Sequence, residues 1–205
     1  MSRLAWSPAC ERNRGPILEV LREVFADRRS VLEIGSGTGQ HAVHFAAALP
    51  GLVWHTSDLA EHHAGILGWI REEGLDNVRA PLLLDVSSDP WPALPAIDAA
   101  FSANTAHIMS WHGVCDMFAG LGARLPAKAP FCLYGPFNVD GRFTSDSNRE
   151  FDASLRLRNP HMGLRDLELL EKLARETGFV LADNHAMPAN NRMLVWRRLA
   201  KKTPP

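Results

Sequence analysis

Val31-Leu32-Glu33-Ile34-Gly35-Ser36-Gly37-Thr38-Gly39-Gln40 joins an apolar run to a helix-period stretch through alternating glycines. Val31–Ile34 reads as a short buried strand. Glycines at 35, 37 and 39 let the backbone turn tightly and approach a ligand more closely than side chains would allow. Ala42, Phe45, Ala46 and Leu49 then recur at i, i+3, i+4 and i+7, the stripe of a helix. The first turn of that helix offers free N–H groups and partial positive charge to a ligand. Dinucleotides require G-x-G-x-x-G, with the third glycine at position 40 here. Position 40 is Gln. The pattern present is acid-x-G-x-G-x-G, which suits a nucleoside cofactor without a pyrophosphate.

Outward from this loop the chain alternates between apolar runs and helix-period stretches. Pro16 is expected to open a helix in which Ile17, Val20, Leu21 and Val24 share a face. Leu52–Thr56 is a second strand. Leu59, His63, Ile66 and Ile70 mark the next helix, with Gly74 as its stop. Val78–Leu84, interrupted by Pro81, and Ile97–Ser102 are strands. Val114, Met117, Phe118, Leu121 and Leu125 give another helix face, and Phe131–Tyr134 a fifth strand. A long polar stretch covers residues 137–165. Leu167, Leu170, Leu173, Ala174 and Thr177 form the last helix stripe, closed by Gly178. Phe179–Ala186 and Arg192–Leu199 have no helix between them, so they pair antiparallel across Met187-Pro188-Ala189-Asn190-Asn191. This order predicts an α/β fold with a mostly parallel sheet covered by helices on both faces. Ligands of such sheets sit beyond the carboxyl ends of the strands.

Two acids lie at such ends. Asp58, 19 residues past Gly39 and followed by Leu59, is placed to accept both hydroxyl hydrogens of a ribose. Asp85, followed by Val86, is placed to accept the exocyclic amine of an adenine. A nicotinamide-dependent oxidoreductase would use Asp58, but Gln40 and Asp85 count against it.

Composition bounds the partners. The 205 residues suit one domain with a full core. With 22 Lys+Arg against 23 Asp+Glu there is no cation excess for a nucleic-acid backbone. Cys10, Cys115 and Cys132 have no CxxC spacing and cannot complete a disulfide framework, which favours a reducing compartment. No signal-like stretch and no apolar run of about 20 residues is seen, so a cytoplasmic protein without a membrane span is expected. His41 and His44 share a helix and His62 and His63 are adjacent, but no acid or cysteine completes a metal cluster, so no metal is expected. Arg197-Arg198 and Lys201-Lys202 read as a solvated basic tail.

The chain resembles the class I S-adenosylmethionine (SAM)-dependent methyltransferases. It resembles more closely the DUF938/UPF0585 group, which includes methyltransferase-like protein 26. The resemblance is carried by Ser7-Pro8-Ala9-Cys10-Glu11-Arg12-Asn13, by Val31 to Ala42, and by Leu133-Tyr134-Gly135-Pro136-Phe137. It continues through Asn148, Phe151-Asp152-Ala153-Ser154-Leu155, Gly163-Leu164-Arg165-Asp166 and Met187 to Asn191. It implies a Rossmann-like three-layer sandwich with a seven-stranded sheet and an antiparallel last strand. It implies that Glu33, Gly35, Ser36, Gly37, Thr38 and Gly39 lie near the methionine portion of SAM. By the same likeness Asp58 and Leu59 lie near its ribose and Asp85 and Val86 near its adenine. The acceptor does not carry over.

Methyl transfer from a sulfonium needs in-line positioning and at most removal of a proton. The loop Ser102-Ala103-Asn104-Thr105-Ala106-His107 faces the methyl group in this fold. Asn104 is a candidate to position SAM or acceptor, or else to cap the next helix. His107 is a candidate general base, or else a group bonded to the backbone. Tyr134 lines the acceptor pocket or merely packs. Residues 1–15 are expected as an N-terminal segment over the cofactor, with Arg12 near the SAM carboxylate and Asn13 beside it. Residues 137–165 are expected as a lid-like insert, whose Arg142, Arg149, Arg156, Arg158 and Arg165 suit an anionic small molecule or a solvated surface. Asn190-Asn191 is a structural turn by strand order. Three functions follow: a SAM-dependent methyltransferase of a small molecule, a SAM- or S-adenosylhomocysteine (SAH)-binding regulator without chemistry, and, third, an NAD(P)-dependent oxidoreductase.

Overall fold

The computed structural model describes residues 4–200. The chain divides into two compact units, Met1–Ser102 and Ala103–Pro205. Seven strands form one sheet in the order β3-β2-β1-β4-β5-β9-β8, and a separate pair joins β6 to β7.

The first unit runs α1 (Pro8–Val24), β1 (Ser30–Glu33), α2 (Gln40–Ala48), β2 (Val53–Asp58), α3 (His63–Glu73), β3 (Val78–Leu83) and β4 (Ala99–Ala103). β1 pairs parallel with β2 and with β4, and β2 with β3. β1 and β4 are almost wholly buried, which is why they read as apolar runs rather than alternations. Pro81 is tolerated because β3 is an edge strand, where a missing N–H costs no ladder bond. Gly74 ends α3 in the left-handed region, as its position predicts. Phe45, Trp54 and Phe101 meet at ring separations of 5.5–5.8 Å and centre this unit's core.

One helix start differs from expectation. α1 begins at Pro8, and Pro16 lies inside it. Pro8 occupies the first turn, where an N–H is not needed, while Pro16 forgoes one intrahelical bond. The buried face of Asn13, Ile17, Leu18, Leu21 and Val24 holds the helix across that gap.

The second unit runs α4 (Trp111–Arg124), β5 (Pro130–Gly135), β6 (Phe137–Asn138), α5 (Asp146–Arg158), β7 (Arg165–Asp166), α6 (Leu167–Glu176), β8 (Phe179–Met187) and β9 (Asn191–Arg198). β9 is antiparallel to both β5 and β8, as the missing crossover helix predicts. Phe118 centres this core, 5.3 Å from Phe131 and 5.5 Å from Trp196. The 137–165 stretch holds a two-residue strand and a 13-residue helix capped by Ser145. Arg198 is not part of a solvated tail. It donates to the Gly122 and Gly178 carbonyls at 2.8 Å, tying β9 to α4 and the end of α6. Lys201-Lys202 lie outside the described residues. No described helix is long and apolar enough to cross a membrane.

Candidate functional site

The glycine loop is built by three left-handed residues in alternation: Gly35 (φ 72°), Gly37 (57°) and Gly39 (91°). The demand for glycine differs among them. A Cβ on Gly39 would stand 2.9 Å from the Ile66 Cα, so α2 and α3 meet backbone to backbone there. A Cβ on Gly37 would meet nothing within 4 Å. Gly39 therefore serves packing, and at Gly37 the loop borders open space.

The loop is tied to the end of β2. The Gly35 and Ser36 N–H groups donate to the Ser57 carbonyl at 3.1 and 3.0 Å. Asp58 Oδ2 accepts the Gly37 N–H at 2.7 Å, and Oδ1 accepts the Leu59 N–H at 2.7 Å. Its carboxylate is thereby fixed beside the open glycine, with lone pairs left on each oxygen. The Glu33 side chain turns inward: Oε2 accepts Ser36 Oγ at 2.8 Å and Trp54 Nε1 at 3.0 Å. Burial pushes its carboxyl up to about 7 against the pull of those two bonds. Asp85 is exposed, with Oδ1 accepting the Ser87 N–H, and the buried Val86 gives its carbonyl to Trp91 Nε1.

The N-terminal segment docks on the start of α2. Ser7 N–H donates to Gln40 Oε1, and Gln40 Nε2 donates to Glu11 Oε1 at 3.2 Å. Thr38 Oγ1 donates to the same Gln40 oxygen at 3.1 Å. The Ala5 carbonyl accepts from Trp69 Nε1 at 2.6 Å. Arg12 is exposed on α1, while Asn13 is buried and its Oδ1 takes the His41 Nε2–H at 2.7 Å. That leaves His41 Nδ1 facing the Cys10 thiol at 3.9 Å. The order Cys–His–Asn is that of a thiol nucleophile with its base. Burial argues otherwise, pulling His41 down to about 4 and pushing Cys10 up. The proton stays on sulfur and the chain of contacts is a clamp. Residues 1–3 of the expected N-terminal segment lie outside the described residues.

Asn104, His107 and Tyr134 come together in the second unit. Asn104 is left-handed (φ 60°), and its N–H donates to the Tyr134 carbonyl at 2.8 Å. Asn tolerates this conformation better than most residues. It does not cap α4: Ser110 does, accepting the Gly113 N–H at 3.0 Å. The His107 ring is buried, packs edge-on to Phe151 at 5.2 Å, and lies beside Gly135. Burial, then Arg165 and Arg158, pulls it down to about 4, so it is neutral at pH 7 and a weak proton acceptor.

Most of the insert's arginines are engaged locally. Arg165 donates to the Ala106 carbonyl at 2.9 Å and to the Met109 and His161 carbonyls, holding the loop that carries His107. Arg156 pairs with the buried Asp152 at 2.7 Å, and Arg149 with Asp146 at 3.1 Å. Arg142 and Arg158 are exposed. Asp152 Oδ1 also accepts the Leu164 N–H, and the Gly163 N–H donates to the His107 carbonyl at 2.9 Å. The register partner of Gly135 is Arg192, so Asn190-Asn191 lies at the carboxyl end of β5. Asn148 Nδ2 holds that turn through the Asn190 carbonyl at 3.2 Å. Among the described residues no group of three or more His, Cys, Asp or Glu is arranged to hold a metal ion.

The sequence reading passed over Ser7, Cys10, Gln40 and His41 as working residues. The signal available was Gln40 itself, standing where a dinucleotide loop has glycine.

The fold is shared with solved methyltransferases. An O-methyltransferase family protein from Burkholderia thailandensis superposes with TM-score 0.80 at 16% identity, covering 95% of this chain and 58% of that one. The S-adenosylmethionine-dependent methyltransferase SibL, in its apo form, gives 0.78 at 21%, covering 93% and 56%. PigF with SAH gives 0.76 at 16%, covering 89% and 55%. The chain thus spans little more than half the length of the structures it matches. At these identities the likeness concerns the fold alone, a mostly parallel seven-stranded methyltransferase sheet. The family match is independent of it and covers residues 4–198: this chain belongs to DUF938, described as a protein family of unknown function.

Proposed function

We propose that the chain binds SAM and transfers its methyl group to a small-molecule acceptor. One observation carries the reading. Gly37 leaves open space in the loop, and Asp58 is held against the Gly37 N–H, where a ribose hydroxyl pair would find its acceptor. The absence of a glycine at 40 favours a cofactor without a pyrophosphate. A sulfonium and an amino group near Glu33 would draw its raised carboxyl back toward the charged form. PigF, a structural neighbour, was solved with SAH. The near-zero net charge supports a small acceptor over a nucleic acid.

When bound, SAM would supply a methyl group activated on a sulfonium, taken by an acceptor lone pair as the S–CH3 bond breaks toward sulfur to leave SAH, with any acceptor proton passing to solvent. Activation resides in the donor, so the protein's share is alignment. A neutral, weakly basic His107 suits a positioning role better than proton removal. The same observation favours a second reading, SAM or SAH binding without turnover.

Calorimetry with SAM and SAH tests the first step, and SAH release from SAM across a panel of small acceptors separates the two readings. Asp58→Ala should weaken SAH by about 10- to 100-fold, since hydrogen bonds to charged groups contribute about 1.5–3 kcal/mol. No heat and no thermal shift with either ligand refutes the proposal. Unchanged affinity in Asp58→Ala removes the ribose assignment.

A further inference from the structure

The first turn of α2 is the seat that a dinucleotide's pyrophosphate occupies in the other class of glycine loop. Here it is covered. Gln40 is 4% exposed and His41 5%. The cover is residues 5–11 of the same chain. A Cβ on Gly65 would lie 3.2 Å from the Ala5 Cβ and 3.7 Å from the Thr38 carbonyl, so the segment and the loop meet over α3. The Cys10 thiol stands 3.9 Å from His41 Nδ1 on that same turn of α2.

Gln40 is the pin. Its oxygen takes the Ser7 N–H and the Thr38 hydroxyl, and its nitrogen gives a hydrogen bond to Glu11. Glycine at this position would make none of these bonds. Glutamate would keep the acceptor and lose the donor, placing two carboxylates face to face. Arg14 completes the line, paired with Glu11 Oε2 at 2.9 Å.

We propose that Gln40 is a cofactor-selecting residue: by pinning residues 5–11 over the first turn of α2 it closes the pyrophosphate seat, leaving the loop open at Gly37 and Asp58. The inference rests on the SAM reading for the identity of the admitted ligand. The excluded class is the dinucleotides, for which NADH is the probe. Gln40 acts through the segment it holds and is a positioning residue.

The experiment compares wild type, Gln40→Gly, Gln40→Glu and the double variant Gln40→Glu/Glu11→Gln. Each is titrated with SAH and with NADH by calorimetry, and amide exchange is followed over residues 4–13. Gln40→Gly restores the dinucleotide spacing and removes the pin. It should speed exchange in the segment at least tenfold and shift the NADH-to-SAH affinity ratio toward NADH at least tenfold. Gln40→Glu should open the segment, and adding Glu11→Gln should return exchange to within about threefold of wild type, because the donor and acceptor have only traded places. A structural fault in α2 would not be rescued this way.

An open segment with an unchanged affinity ratio overturns the selection. A segment that stays protected in both single variants overturns the pin. Wild type binding neither ligand refutes the SAM reading and the selection together, whereas wild type binding SAH with no change in the ratio refutes the selection alone. If Gln40→Gly fails to fold, the Gln40→Glu pair with its rescue decides the pin.

Discussion

Gly37 and Gly39 share a loop and a backbone sign, yet alanine should rank them in opposite orders for stability and for binding. Both adopt positive φ, which costs an L-residue about 1–2 kcal/mol. At Gly37 that is the whole cost, since the added Cβ meets nothing within 4 Å. At Gly39 the Cβ would stand 2.9 Å from the Ile66 Cα and 3.4 Å from the Trp69 Cβ, so backbone must move. Overpacking of that kind adds about 1–3 kcal/mol. Gly39→Ala should therefore lose about 2–5 kcal/mol against about 1–2 for Gly37→Ala. At this chain length Tm falls about 2–4 °C per kcal/mol, so Gly39→Ala should melt below Gly37→Ala. Urea denaturation gives the same ranking. Binding should rank the other way: Gly37→Ala fills the space the ligand needs and should weaken SAH at least tenfold while remaining folded. If Gly39→Ala is no less stable than Gly37→Ala, the α2–α3 contact does not require glycine. If Gly37→Ala binds SAH like wild type, the opening is not the ligand's seat.

Stability should respond to pH in opposite senses at two buried groups. His41 in the unfolded chain takes a proton below about 6.5, and in the folded protein only below about 4, so stability falls as pH drops through that window. Glu33 keeps its proton up to about 7 when folded against 4.5 unfolded, so its contribution is lost as pH rises from 4.5 to 7. Urea midpoints at several pH values should show a flatter acid limb in His41→Gln and a smaller loss toward pH 7 in Glu33→Gln; unchanged slopes would refute the burial argument. Asp152→Ala leaves the Leu164 N–H without its acceptor and should cost about 1–3 kcal/mol. Asp152→Asn keeps an acceptor oxygen there and should recover most of that loss in the same denaturation assay; equal loss in both variants would mean that charge, not the Leu164 bond, is what matters.

Much of the glycine loop and its flanking elements was legible before folding because its causes are local. Positive φ at three alternate glycines, a buried strand before them and a 3.6-residue stripe after them are properties of adjacent residues. The placement of Asp58 at the end of β2 and of Asp85 just past β3 was legible because an acid at a strand's carboxyl end is a matter of spacing. The contacts of the insert's arginines were not legible for the opposite reason. Arg165 looks like a free cation in the sequence, and only the fold brings the Ala106, Met109 and His161 carbonyls to it. The start of α1 was misplaced because the rule that proline opens helices applies equally to Pro8 and Pro16. Burial of Asn13 and Ile17 on one face, a tertiary fact, selects the earlier one.

Sequence alone is enough for the order of the seven main-sheet strands and of the helices outside residues 137–165, for the antiparallel final hairpin and for the missing glycine at position 40. Periodicity, turn residues and the identity of position 40 are enough for those. Tertiary structure decided what the marked residues do. Gln40 meets Ser7 across 33 positions and His41 meets Asn13 across 28. Such partners depend on how helices pack, and no local pattern encodes the distance between two side chains that far apart. Burial then settled the chemistry of those partners, because the cost of removing a charge from water is set by the surrounding protein rather than by the residue.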